Sequence, residues 1–94
     1  MDTYRIAIDT FIAEAFKCRA SVCAIFTGTD IAFQHVQLHT RRDKSELHIM
    51  AGSTVFSVPL ASILSIEKLV FPDIQTIEYE ISTKEGGTIT VDVF

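Results

Sequence analysis

All three histidines of the chain lie in one stretch, FQHVQLHTRRDKSELHIM at residues 33–50, beside Arg41, Arg42 and Lys44. Clustered imidazoles can share a zinc ion, and clustered guanidinium and ammonium groups can hold phosphate. Whether the imidazoles meet depends on how the stretch folds. From Ile31 the chain alternates: Val36 and Leu38 fall on one face, and Phe33, His35, Gln37, His39 and Arg41 on the other. After RRDKS, Leu47 and Ile49 oppose Glu46, His48 and Met50. Two alternating runs about a short polar loop predict a hairpin. A register with His39 opposite His48 would set both on one face, with His35 further along it, close enough to share a metal. A one-residue slip would part them, and no carboxylate or thiol is patterned to complete a tetrahedral site. His35, His39 and His48 are the metal candidates of the chain. The expectation is a polar hairpin face, with no metal and no cofactor.

The loop RRDK reads either as a solvated turn or as a phosphate contact made by Arg41, Arg42 and Lys44, with Asp43 among them. One copy would bind weakly. Copies repeated in a ring would bind strongly, because affinity grows with the number of phosphates neutralised. Catalytic signals are sparse: no Ser–His–Asp spacing, GxSxG or Walker loop is present, and the expectation is a protein that is not an enzyme. Gly86-Gly87 sits between strands, so it reads as a hairpin turn. Glu78 and Glu80 share a solvent face by strand alternation. Cys18 and Cys23 match no zinc or redox spacing and read as two small buried hydrophobes in a reducing compartment.

The elements that would position these residues follow from periodicity. Tyr4, Ile8, Phe11, Ile12 and Ala15 recur at helical spacing, most clearly from Asp9 to Lys17, although Tyr4, Ile6 and Ile8 also alternate as a strand would. SVCAIFTG reads as a strand closed by Gly28. TVFSVPL reads as a short strand buried on both faces, with its proline at an edge or end, and ASIL as a turn. SIEKLVF is a strand stopped by FPD. IQTIEYEIS and TITVDVF, joined by TKEGG, form a hairpin. Ile77, Tyr79, Ile81, Ile89, Val91 and Val93 share one face of it, Glu78, Glu80 and Asp92 take the other, and Gly86 and Gly87 supply positive φ. The predicted architecture is mainly β: an N-terminal helix, then a small five-stranded bent antiparallel barrel, then an extra C-terminal hairpin.

With 94 residues the chain is expected to be one domain, 1–94, with its core over about 8–70 and the extra hairpin at 75–94. Hydrophobic residues make up 48%, yet no run approaches the roughly 18 apolar residues of a membrane span. The beginning, MDTYRIAIDT, carries an acid before any base, so a cytoplasmic protein without a signal peptide is expected. So much apolar side chain in a small chain suggests burial against further copies or a partner. The net charge of −4 is uneven: residues 1–50 hold six Lys/Arg and six Asp/Glu, whereas residues 51–94 hold two Lys and six acids. Any surface that meets phosphate belongs to the first half.

The order of helix, VCAIFTG, a long alternating strand with a charged turn, LHIM and TVFSVPLASILSIEKL resembles the Sm-like family, which includes Sm and Lsm proteins and the RNA chaperone Hfq. The resemblance covers roughly residues 8–70. It is one of pattern: Ala32-Phe33 stand where the family has its second glycine, and Pro59-Leu60 where it has Arg-Gly. It implies a Sm-like, SH3-like barrel whose fourth strand pairs with the fifth of the next copy, giving a homo-oligomeric ring of five to seven subunits. It further implies RNA or single-stranded nucleic acid at Arg41, Arg42, Asp43 and Lys44, with Ser57 and Pro59 lining the same opening and Lys17 and Arg19 adding charge. The alternative is a protein-interaction or regulatory module, of the kind a phage can carry, that docks its acidic C-terminal hairpin on a basic partner. No membrane partner is expected.

Overall fold

The computed structural model describes the backbone of residues 1–26 and 29–94, and the side chains of all of these except 26, 29, 30 and 33–35. The chain is mainly β. Its strands are β1 (Asp2–Ile6), β2 (Arg19–Phe26), β3 (Thr29–Arg42), β4 (Glu46–Ala51), β5 (Thr54–Pro59), β6 (Ile63–Phe71), β7 (Thr76–Thr83) and β8 (Thr88–Val93). One helix, α1 (Ile8–Ala15), lies between β1 and β2. All neighbours are antiparallel, in the order β1-β6-β7-β8-β2-β3-β4-β5.

This order corrects the predicted five-stranded barrel with an appended hairpin. The described strands number eight and form one sheet, and β7–β8 lies inside it, between β6 and β2. The alternation of 77–81 and 89–93 was legible as a two-sided hairpin, but alternation encodes which face a residue takes and not which strand lies beside it. The 14-residue β3 links the two halves of the sheet, since its first part pairs with β2 and its last part with β4. The β2–β3 register shifts between Ala20 and Val22, as a bulge does. The turn that Gly28 was expected to make lies outside the described residues.

The N-terminal segment divides where its two periodicities overlap. Residues 2–6 take the strand alternative and the helix starts at Ile8. The helix also ends earlier than its pattern suggested. Phe16 is extended and Lys17 adopts a left-handed φ of 60°, which turns the chain so that the Lys17 N–H donates to the Leu38 carbonyl at 2.9 Å. Strand β5 is buried on one face only: Phe56 and Val58 point inward, whereas Val55 and Ser57 are exposed. It is the last strand of the sheet, and Pro59, which has no N–H to give a ladder, ends it. In the β7–β8 turn only Gly86 takes positive φ, at 84°, and Gly87 does not.

The core lies in the concavity between sheet and helix. Phe11 and Ala15 of α1 are fully buried, and Ile8 and Ile12 pack beside them. They face Leu38, Leu47, Ile49, Ile66, Tyr79, Ile81, Ile89 and Val91. The Phe11 and Tyr79 rings meet edge to face at 5.3 Å. Polar bonds then fix the helix: the Thr40 hydroxyl on β3 donates to the Ile12 carbonyl at 2.9 Å. The Tyr79 phenol and the Lys68 ammonium both donate to Glu14 Oε1, at 2.7 and 2.6 Å. Lys68, first, and Tyr79 hold the Glu14 carboxyl below its ordinary value, and burial with Glu14 as acceptor pushes the Tyr79 phenol up.

Two outcomes follow from this docking. Phe11→Ala should cost about 3–5 kcal/mol in urea unfolding, because it empties a fully buried aromatic site. A depressed carboxyl stabilises the fold above its ordinary value and loses that contribution as pH falls through the folded value. Glu14→Gln should therefore melt below the parent at pH 7, and the gap should close as pH falls below 4.5. A gap that persists in acid would show that the charge of Glu14 is not what matters.

Candidate functional site

The turn from β3 to β4 is built around Asp43. Its Oδ1 accepts the Ser45 N–H at 2.8 Å, the Glu46 N–H at 2.8 Å and the Ser45 hydroxyl at 3.2 Å. An aspartate at this position bonds the amides two and three residues ahead and so closes the turn. The Asp43 N–H donates to the Glu46 carbonyl at 3.0 Å, which sets the register of the hairpin. Arg41 then stands opposite His48, and His48 opposite Ser57 on β5. Arg41, His48 and Ser57 form one row across the outer face of three strands.

His48 bonds to Ser57 within this row and to Asp43 beside it. His48 Nε2 lies 2.8 Å from Asp43 Oδ2, and His48 Nδ1 lies 3.0 Å from the Ser57 hydroxyl. The Asp43 carboxyl is held far below the usual carboxylate range, by His48 first and then by the Ser45 and Glu46 amides. Asp43, Glu46 and His48 also offer atoms within 4.8 Å of one another, as metal ligands can. Asp43 already uses Oδ1 for the turn and Oδ2 for the imidazole, so a proton between them satisfies this geometry.

The predicted site residues therefore separate. Arg41, Asp43 and Ser57 meet at one end of the β3–β5 outer face, with Pro59 opposite Glu46 in the next row. Lys44 is exposed in the turn. Arg42 falls on the opposite face, beside Leu47, and reaches Asp9 of the helix at 3.4 Å. Both partners are well exposed, so this pair contributes little. Lys17 lies elsewhere, with its ammonium 5.4 Å from the centre of the Phe16 ring, and Arg19 pairs with Gln37 at the start of β2. His39 and His48 do not stand opposite each other. His39 faces Met50 and packs against the Phe16 ring at 5.7 Å, while His48 is bonded to Asp43 and Ser57. The side chain of His35 lies outside the described residues. Cys18 and Cys23, expected to be buried, are each only partly so, and neither forms a disulfide.

The Asp43–His48–Ser57 chain was missed because its members stand five and nine residues apart, spacings that become contacts only through the register of two hairpins. The readable signal was alternation: His48 and Ser57 both occupy outward positions of neighbouring strands.

Beside Ser57 opens a cleft of about 280 Å³, bounded by Pro59, Ser62, Thr83, Glu85 and Gly87. It forms where the β7–β8 turn meets the short 3-10 turn Leu60–Ser62. The Lys84 N–H donates to the Ser62 carbonyl at 2.8 Å, and the buried Thr83 hydroxyl donates to the Gly87 carbonyl at 2.8 Å.

The other half of the sheet presents acid. Glu78 stands opposite Asp92, and Glu80 opposite Glu67, on the outer face of β6–β8. Partial burial, then Asp92 and Glu80, push the Glu78 carboxyl up. Among the described residues, no helix is long and apolar enough to cross a membrane. No protein-family profile, curated protein or solved structure matches this chain.

A raised carboxyl favours folding while it is protonated, and that contribution is lost as pH rises through the folded value. Glu78→Gln should thus melt higher than the parent at pH 7, with the difference vanishing in acid below the ordinary value of 4.5. Scanning calorimetry at the two pH values checks this, and a lower melting point at pH 7 would reverse the sign of the argument.

Proposed function

We propose that the chain is a Sm-like subunit that closes into a homo-oligomeric ring and binds RNA through its repeated β3–β4 turns. One observation carries the reading: among the described residues the sheet ends in two strands, β1 and β5, each with an unpaired edge. Four of the five residues of β1 are exposed, so this strand is held chiefly by its ladder to β6. Val55 and Tyr4 add exposed apolar surface on the two edge strands, at 54% and 52%. Edges of this kind are templates for another strand, and a head-to-tail pairing that closes removes them all.

The family pattern would join the fourth barrel strand to the fifth of the next copy. In this chain the corresponding fifth strand, β6, already has β1 and β7 as neighbours. The seam therefore runs from β5 of one copy to β1 of the next. Each subunit then contributes Arg41 and Lys44 to a common basic rim. Arg42 contributes less, since it turns toward Asp9.

A second reading is favoured by the acidic face of β6–β8, where Glu78 is crowded by Asp92 and Glu80. A basic protein partner would relieve that crowding. Deleting 75–94 would not separate the readings, because β7 and β8 lie in the middle of the sheet. Charge reversal at Glu78 and Glu80 does so without removing a strand.

Light scattering coupled to size exclusion should give one species of about five to seven subunits, as rings of this class form. The bonds Asp43 N–H to Glu46 and Leu60 N–H to Ser45 make 54, 56 and 58 the β5 residues that bond to β4, so Val55 aims its N–H at the free edge. Val55→Pro should yield a monomer that still folds, and a monomeric parent would sink the ring. In RNA titrations, Arg41→Ala with Lys44→Ala should flatten the salt slope by roughly 0.7 for each phosphate that is no longer neutralised. Arg42→Ala should change it less.

A further inference from the structure

Ser57 lies at the meeting of two features that the RNA-binding reading does not use: the hydrogen-bonded chain to His48 and Asp43, and the cleft beside it. The chain has a direction. Asp43 takes three donors on Oδ1 and stays ionised, so its Oδ2 can only accept. The Nε2 of His48, at 2.8 Å from it, must carry the proton. In the neutral imidazole Nδ1 is then a lone pair, to which the Ser57 hydroxyl donates at 3.0 Å. A serine that donates to such an imidazole, itself oriented by a carboxylate, is the ground state of an activated nucleophile.

Exposure follows the same division of labour. The imidazole is shielded, with only 12% of its side chain accessible, whereas Ser57 is open to solvent on the wall of the cleft. His48 and Ser57 form a pair without ladder bonds between them, the kind in which opposed side chains approach most closely. Asp43 is held by the turn that it closes, so its position does not depend on the imidazole. The cleft mixes apolar and hydroxyl walls with one acid, Glu85, which suits a small uncharged acyl group and disfavours an anionic one.

We propose that Ser57 is a nucleophile for small, uncharged carboxylic esters, with His48 as its general base and Asp43 as the residue that positions the imidazole. Ser57 Oγ bonds to the acyl carbon while its proton passes to His48 Nδ1. The bond from that carbon to the alcohol oxygen breaks, and the proton on Nδ1 leaves with the alcohol. Water then repeats the step in reverse roles: it gives a proton to Nδ1 and its oxygen to the acyl carbon. The acid departs and Ser57 regains its proton. No oxidant, metal or further reactant is required, and the step is independent of ring formation.

The test uses the full chain with two probes, p-nitrophenyl acetate and an alkyl fluorophosphonate read by intact mass and peptide mapping. The expected result is one added phosphonyl group, located on Ser57, and acetate release above the buffer rate. Ser57→Ala should abolish both. His48→Gln should lower both at least about a hundredfold, the usual contribution of a general base. Asp43→Asn keeps an acceptor for the turn amides but offers an NH₂ to Nε2, which drives His48 to the other tautomer. It should lower labelling similarly and exchange the two imidazole nitrogen shifts in ¹⁵N NMR, with the circular dichroism of the parent retained. Labelling that is absent, spread over other hydroxyls, or unchanged in His48→Gln would overturn the proposal. So would a tautomer exchange in Asp43→Asn with no loss of labelling.

Discussion

The Glu14 carboxylate ties the one helix to the sheet, and the remaining architecture depends on that tie. The concave face presents Tyr79 with a phenol that must find an acceptor once covered, since leaving such a group unbonded costs about 1–3 kcal/mol. Glu14 is that acceptor, and Lys68 joins it from the adjacent strand. On the helix's other flank Thr40 binds the Ile12 carbonyl. The helix is thus anchored to β6 and β7 on one side and to β3 on the other. With Phe11 inserted between these anchors, it closes a concavity that the sheet alone would leave wet.

The consequence for the site is indirect but physical. Strand β3 is both the strand that Thr40 fastens to the helix and the strand whose last residues begin the Asp43 turn. Inward Thr40 and outward Arg41 are neighbours, so whatever holds one in place also fixes the face on which the other emerges. A slip of one residue in β3 against β4 would bring Arg41 inward and break the row to His48 and Ser57. Buried Leu38 and Thr40 oppose such a slip, since it would turn both of them outward. The outer row is polar and weak in itself, and it is held in register by the apolar face behind it.

This division explains what could be read in advance. Face was legible wherever alternation was clean: Tyr79, Ile81, Ile89 and Val91 were placed inward from their spacing and are buried. So was the charged turn, because a polar RRDKS run between two alternating stretches marks one. Neighbourhood was not legible. Nothing local says that β8 pairs with β2 or that β1 pairs with β6, because such ladders join residues far apart in sequence through backbone groups that every residue possesses. β5 was misread for a related reason. Val55, Phe56 and Val58 suggest burial on two sides, but which face of a strand is covered is decided by what packs on it, and Val55 stands on the open face. The Ser57–His48 contact needed both kinds of information at once, face and neighbour, and alternation supplies only the first.

The charge asymmetry along the chain acquires a spatial meaning from the same topology. Acids Glu67, Glu78, Glu80 and Asp92 gather on the outer face of β6–β8, while Arg41, His48 and Ser57 lie on that of β3–β5. The two halves are joined through β2, whose outward residues Arg19, Ser21, Cys23 and Ile25 include no acid. An anionic ligand is therefore repelled from one half of the sheet and left only the other. Within the half that remains, Asp43 would be the main local obstacle. It is folded onto its own turn amides and onto His48, so donors inside the protein already meet its charge and Arg41 stays exposed. The residue that closes the turn thus also limits how strongly that turn opposes a phosphate. The same hydrogen bonds that orient the imidazole toward Ser57 are the ones that screen it.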